Sequence, residues 1–180
     1  MTAALRLGLI GCGGIVMRSH LPALLQLGQY GQVCALADPV AANRNAVGAS
    51  ANVPTTRRHG DYRDLLAAGE LDFVIIATPH HLHAEQAIAA AEAGLGIISE
   101  KPMATSLEEA DAVLAAVERH GAPYAVMHNY LFNPGSQRAL EQLSAIDQPQ
   151  TGRAQSLFLK ADDQTDPAAV WRASRAAGGG

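Results

Sequence analysis

Along residues 5–127, short apolar runs alternate with helix patterns, and this alternation limits the possible folds more than any other feature. Leu5-Arg6-Leu7-Gly8-Leu9-Ile10 is apolar and ends in glycines. Ile15 to Leu27 carries a helix pattern, with Pro22 as a kink. Gln32 to Ala37 is a second apolar run, stopped by Asp38-Pro39. Val40 to Ala49 and Asp61 to Ala68 read as short helices. Phe73-Val74-Ile75-Ile76-Ala77 is β-branched and apolar throughout, the pattern of a strand covered on both faces. His83 to Ala93 is a helix closed by Gly94, and Gly96 to Ser99 is a strand. Ser106 to His120 is the strongest helix pattern. Ser106-Leu107-Glu108-Glu109 fits a capping box, Gly121 stops the helix, and Leu107, Ala110, Val113, Leu114 and Val117 share a face. Tyr124 to Met127 is a further strand. Strands alternating with helices over short loops predict an α/β fold, a doubly wound parallel sheet.

The rhythm changes after Met127. Asn133-Pro134-Gly135 reads as a turn, Gln137 to Leu143 as a short helix and 145–152 as a linker. Residues 154–160 alternate like a strand of an antiparallel sheet. This divides the chain into a domain at 1–127 and, at 128–180, a linker helix and the start of a second domain. A lone strand and a polar tail cannot build a core, so the second domain is expected to be cut short at Gly180.

Composition excludes several classes. The 180 residues are 48% hydrophobic and 17% charged, which suits a globular chain. A net charge of −4 offers no basic footprint for nucleic acid, and Arg57-Arg58 reads as a solvated loop. No apolar run nears the ~18 residues of a membrane span. Met1 to Leu7 has no signal-peptide layout, and two cysteines make no disulfide framework. A reduced, cytoplasmic setting is expected.

The chemistry-bearing residues stand where strands end. Gly11-Cys12-Gly13-Gly14-Ile15-Val16 follows the first strand and opens the first helix. Gly11 permits a tight turn, Gly13 lets the backbone approach a pyrophosphate, and the first helical N–H groups face the anion. Val16 holds the third position, usually Gly or Ala, where its bulk is expected to push the helix off the strand. Asp38 ends the second strand. Its carboxylate can take hydrogen bonds from an adenosine ribose and repel a 2′-phosphate, favouring NAD over NADP. The alternative is an Asp-Pro turn or helix cap. Arg44, a helical turn further on, is expected to be solvated. Thr78-Pro79-His80-His81-Leu82-His83 follows the strongest strand. No metal is expected there, because the cluster has no carboxylate at ligand spacing and a helix start disfavours cations. His83 can donate to a cofactor hydroxyl, and His80 and His81 are expected to be exposed. Glu100-Lys101-Pro102 ends the next strand. Beside a nicotinamide, Lys101 can hydrogen-bond a substrate hydroxyl, and Glu100 can pair with it or hold the ribose.

In order along the chain stand Gly11-Cys12-Gly13-Gly14-Ile15, Ala77-Thr78-Pro79 with His83, and Glu100-Lys101-Pro102-Met103-Ala104. Ser106-Leu107-Glu108-Glu109-Ala110, Asn129 with Phe132 and Pro134, and Trp171-Arg172 before a glycine triplet follow. This series resembles the Gfo/Idh/MocA family of oxidoreductases, across essentially the whole chain. The resemblance implies a Rossmann domain followed by an α/β domain with a large, open antiparallel sheet. It implies reversible oxidation of a sugar or polyol hydroxyl with NAD, or with NADP. Lys101 matches the family's active-site lysine. Gly11, Gly13, Gly14, Ile15, Asp38, Thr78, Pro79, His83, Glu100 and Asn129 fall on its cofactor site. Tyr130-Leu131 departs from the Asn-Arg that members commonly show, which leaves the substrate open. Gly180 precedes the segment in which the family carries an Asp and an acid/base His. A fragment that binds cofactor with little turnover is therefore expected, with homo-oligomers only in a full-length form. Two other readings stand beside it: a non-catalytic NAD-binding module or sensor subunit, and, from Val16, a Rossmann-like interaction domain without cofactor.

Overall fold

The computed structural model describes residues 3–143. They fall into two compact units, 3–127 and 128–143, each described by itself.

The first unit is built on six parallel strands: β1 (Leu5–Ile10), β2 (Gly31–Ala37), β3 (Arg58–His59), β4 (Phe73–Ile76), β5 (Gly96–Glu100) and β6 (Tyr124–Met127). Their order across the sheet is β3-β2-β1-β4-β5-β6. The doubly wound parallel sheet is therefore present. β1 pairs with β2 on one side and with β4 on the other, so the chain reverses its direction of winding between β1 and β4.

Alternate residues of β1, β2, β4 and β5 feed two cores. Ile10, Val74, Ile76 and Ile97 join Leu65 of helix α3 (Tyr62–Ala67), Ala84, Ala87 and Ala91 of α4 (His83–Glu92), and Val113 of α5 (Leu107–His120). Leu9, Leu36 and Ile75 join Leu21 of α1 (Leu21–Gln26) and Val47 of α2 (Ala41–Ser50). The alternation is the period of the pleat. The many alanines on α4 let it lie close on the sheet.

Helix ends follow local chemistry. Asp61 caps α3 by accepting from the Arg63 N–H at 2.8 Å. Ser106 caps α5, accepting from the Glu109 N–H at 3.2 Å, and Glu109 reaches back to the Thr105 N–H at 2.8 Å. Gly121 closes α5 at φ +61°.

Several expectations need correction. The predicted helix at 15–27 is two pieces: a π-helical turn, Val16–His20, runs into α1, with Pro22 in the first turn of α1. On α5, Leu107 is 80% exposed and Leu114 47%, and the buried residues are Val113 and Ala116, so the apolar stripe is narrower than predicted. Arg57 and Arg58 are not a solvated loop. Arg57 donates to the Gly69 carbonyl at 3.1 Å. Arg58 belongs to β3 and donates to the Val53 carbonyl at 2.9 and 2.7 Å. Its guanidinium lies so close over Gly48 that a Cβ there would stand 2.3 Å from Nε. β3 itself, two residues long and rich in charge, carries no apolar pattern to betray it.

In the second unit, a 3-10 turn, Asn129–Phe132, precedes helix α6, Pro134–Leu143. The predicted turn at 133–135 is the start of that helix: Asn133 Oδ1 accepts from the Gly135 N–H at 2.9 Å, with Pro134 first in the helix. The linker and strand expected at 145–160 lie outside the described residues. Among the described residues, no helix is long and apolar enough to cross a membrane.

Candidate active site

The carboxyl ends of β1, β2, β4 and β5 carry every candidate residue of the first unit. In an open parallel sheet this edge, where the winding reverses, is where ligands sit.

Gly11 leaves β1 at φ +93°, and its N–H donates to the Ala37 carbonyl at 2.8 Å. A Cβ here would stand 2.6 Å from the Ala77 carbonyl oxygen, so both the dihedral and the space demand glycine. A Cβ on Gly13 would meet nothing within 4 Å, which leaves open space in front of the loop. The Val16 and Met17 N–H groups both bond the Gly13 carbonyl, closing the first helical turn on it. N–H groups ahead of that turn are the ones a helix leaves for an anion. The Arg18 guanidinium lies over Gly14, 2.7 Å from where a Cβ would be. Open space, helix start and cation fit a pyrophosphate.

Ile15 is half-buried against the second core. Val16 is fully buried among Leu9, Cys12, Leu36 and Ile75. It packs as a core residue, its methyls filling space in the second core.

Asp38 is buried and holds the loop in place. Its Oδ2 accepts from the Cys12 N–H at 2.8 Å, and its Oδ1 accepts from the Val40 N–H at 2.8 Å. The turn alternative is thus realised, and a clamp on the glycine loop is added. Each oxygen retains a second lone-pair direction for a ribose hydroxyl. Arg44 is half-exposed rather than fully solvated: its Nη1 donates to the Asp38 carbonyl at 3.0 Å and to that of Pro39 at 3.3 Å. Burial and the Asp38 charge push the Cys12 thiol up to about 12, so it is a packing group and no nucleophile.

Thr78 and Pro79 follow β4. The Thr78 hydroxyl donates to Oε1 of the buried Gln86 at 2.6 Å. His83 is fully buried, its Nε2 2.9 Å from the Thr78 carbonyl and its Nδ1 2.7 Å from the Pro102 carbonyl. Both nitrogens already face main chain, so His83 bridges the loops after β4 and β5 and presents no spare donor to a hydroxyl. His80 is half-buried, edge-on to His83 with ring centroids 5.6 Å apart, and only His81 is exposed as expected.

Glu100 closes β5. Its Oε1 lies 2.9 Å from His20 Nε2, and its Oε2 accepts from the Lys101 N–H at 3.2 Å. The His20 hydrogen bond, opposed by burial, holds the Glu100 carboxyl below its usual range. Lys101 is exposed, before a cis Pro102. Asn129 belongs to the second unit, where it opens the 3-10 turn and is exposed.

Sequence reasoning missed His20, Gln86 and the bridging role of His83. The signal for His20 was present, a lone histidine on a helix leaving a glycine loop, but its partner is 80 residues away.

The geometry has close counterparts. The model of the oxidoreductase family with an NAD-binding Rossmann fold matches residues 5–128. The chain belongs to the Gfo/Idh/MocA oxidoreductase family. Among relatives of this family member, D-xylose 1-dehydrogenase (NADP(+)) 2 of Haloferax volcanii is 35% identical over 138 residues, 77% of this chain and 41% of the relative. D-apiose dehydrogenase of Paraburkholderia graminis is 37% identical over 148 residues, 81% of this chain and 38% of the relative. The WlbA dehydrogenase from Bordetella pertussis, solved in complex with NADH and UDP-GlcNAcA, superposes with a TM-score of 0.71 at 32% identity, covering 77% of this chain and 42% of that one. The chain thus spans about two fifths of the length of the relatives it matches.

Proposed function

We propose that this chain is the dinucleotide-binding part of an oxidoreductase acting on a CH–OH group of a sugar, polyol or related small molecule. The observation that carries the reading is the clamp of Asp38 on the Cys12 N–H. It joins the carboxylate to the glycine loop at the sheet edge that also holds Thr78 and the Glu100-Lys101 pair.

A bound nicotinamide supplies the hydride acceptor. The residues of the chain supply the rest of what can be assigned. Gly11, Gly13, Gly14 and Ile15 shape the loop, whose leading N–H groups take the pyrophosphate. Asp38 takes the adenosine ribose. Thr78 and Pro79 line the approach to the nicotinamide. His83 sets the spacing between that loop and the Lys101 segment. Glu100 holds the nicotinamide ribose, and Lys101 orients the substrate hydroxyl and eases loss of its proton. By its resemblance to the family, Asn129 is a further cofactor residue, in a second domain that begins at residue 128.

Asp38 supports NAD as the cofactor. A fixed carboxylate at the ribose opposes a 2′-phosphate, and like charges in contact cost several kcal/mol. Arg44 at the same corner directs its Nη1 to the main-chain carbonyls of Asp38 and Pro39. Calorimetric titration should show NADH binding at least ~10-fold more tightly than NADPH. Asp38→Ala should narrow that gap. Equal affinities in the unaltered chain would remove the NAD assignment, and no binding of either would remove the function.

A further inference from the structure

We infer that His20 is a positioning residue for the nicotinamide end of the site, acting through Glu100. This deepens the functional reading above and rests on it.

His20 ends the π-helical turn that follows the glycine loop, and Glu100 ends β5. The two are 80 residues apart in the chain and meet at 2.9 Å, with only 9% and 16% of their side chains exposed. A hydrogen bond to a carboxylate in such a setting is strong, because little water competes for it. The other Glu100 oxygen accepts from the Lys101 N–H at 3.2 Å. One carboxylate thus joins the helix that starts at the glycine loop to the main chain that carries Lys101. The pyrophosphate end of the site is fixed on that helix. Rotation of the Glu100 carboxylate would free the Lys101 backbone and misplace the acceptor offered to the nicotinamide ribose. His20 removes that rotation.

The role differs from simple bracing in what it should touch. A brace on the helix would serve both ends of the ligand. A positioning residue acting through Glu100 serves the nicotinamide end alone. NADH and ADP separate the two, since ADP shares the adenosine and pyrophosphate and lacks the nicotinamide ribose and ring.

The test uses the whole chain, with His20→Asn and His20→Gln, titrated calorimetrically with NADH and with ADP. The Gln amide nitrogen can stand where Nε2 stands, whereas that of Asn falls short of Glu100. His20→Asn should weaken NADH roughly tenfold and leave ADP unchanged. His20→Gln should keep NADH within about threefold of the unaltered chain. Equal weakening of both ligands by His20→Asn, no weakening of either, or a Gln variant as poor as the Asn one would overturn the inference. So would loss of the folded far-UV spectrum in His20→Asn, which would make His20 a structural residue. An unaltered chain that binds ADP and NADH without the split in the variants overturns only the role of His20. One that binds neither ligand overturns the functional reading as well.

Discussion

The two edges of the sheet treat their polar groups in opposite ways. At the amino edge, Arg6 on β1 and Asp72 before β4 form a fork, with contacts of 2.7, 2.8 and 3.3 Å. Both side chains face water, 51% and 33% exposed. At the carboxyl edge, Asp38, His83, Gln86 and His20 are all buried, and each is tied to main chain or to another side chain of that edge. A buried polar group is costly unless every partner is in place. The amino edge needs only to hold two strands together, and an exposed pair suffices. The carboxyl edge carries costly groups that fix the positions of loops, which is what a site requires and what packing alone does not.

This contrast can be broken most severely at Gly11. Gly11→Ala puts a methyl against the Ala77 carbonyl oxygen at 2.6 Å, on a residue at φ +93°. Dihedral strain and overpacking together should cost roughly 3 kcal/mol or more and abolish dinucleotide binding. Urea denaturation and NADH titration would measure both. A variant of unchanged stability would mean that the loop is freer than the contact implies.

Val16→Ala sharpens the comparison at a smaller scale. Removing two buried methyls should cost about 2 kcal/mol. The loop is held by Asp38 and Gly11, so NADH affinity of the folded variant should stay near that of the unaltered chain. A large loss of affinity at full stability would show that Val16 shapes the loop directly.

The smallest effect belongs to the amino edge. Hydrogen bonds from Arg6 pull the Asp72 carboxyl down to about 2. A carboxyl lowered on folding stabilises the fold above its unfolded pKa, and that gain is lost as pH falls through the folded one. The contribution is therefore present from about pH 4 upward and is lost as pH falls through about 2. Asp72→Asn should lower the denaturation midpoint slightly at pH 7 and by less at pH 2. NADH binding should not change. A variant that lost binding would erase the distinction between the edges.

Much of this was legible in the sequence, and the reason is locality. Strands β1, β2, β4, β5 and β6 announce themselves by apolar runs, most fully in the central β4, because a strand covered on both faces favours apolar side chains along its length. Helix starts and stops follow from residues within one turn, such as Ser106 with Glu109, or Gly121. The glycine loop and the Thr-Pro and Glu-Lys-Pro segments stand in order along the chain, so the family could be read from them. What the sequence could not decide is which distant residues meet. β3 is held by its neighbour β2 and by Arg58, not by its own pattern. The width of the apolar stripe on α5 depends on how much of the helix the sheet covers, which left Leu107 in solvent. The sequence marks His83 as a donor to a ligand, whereas it bridges two carbonyls, because strand order brings the loops after β4 and β5 to either side of it. His20 meets Glu100 for the same reason. Periodicity and capping act over a few residues, whereas partners for buried polar groups are chosen only once the sheet is assembled.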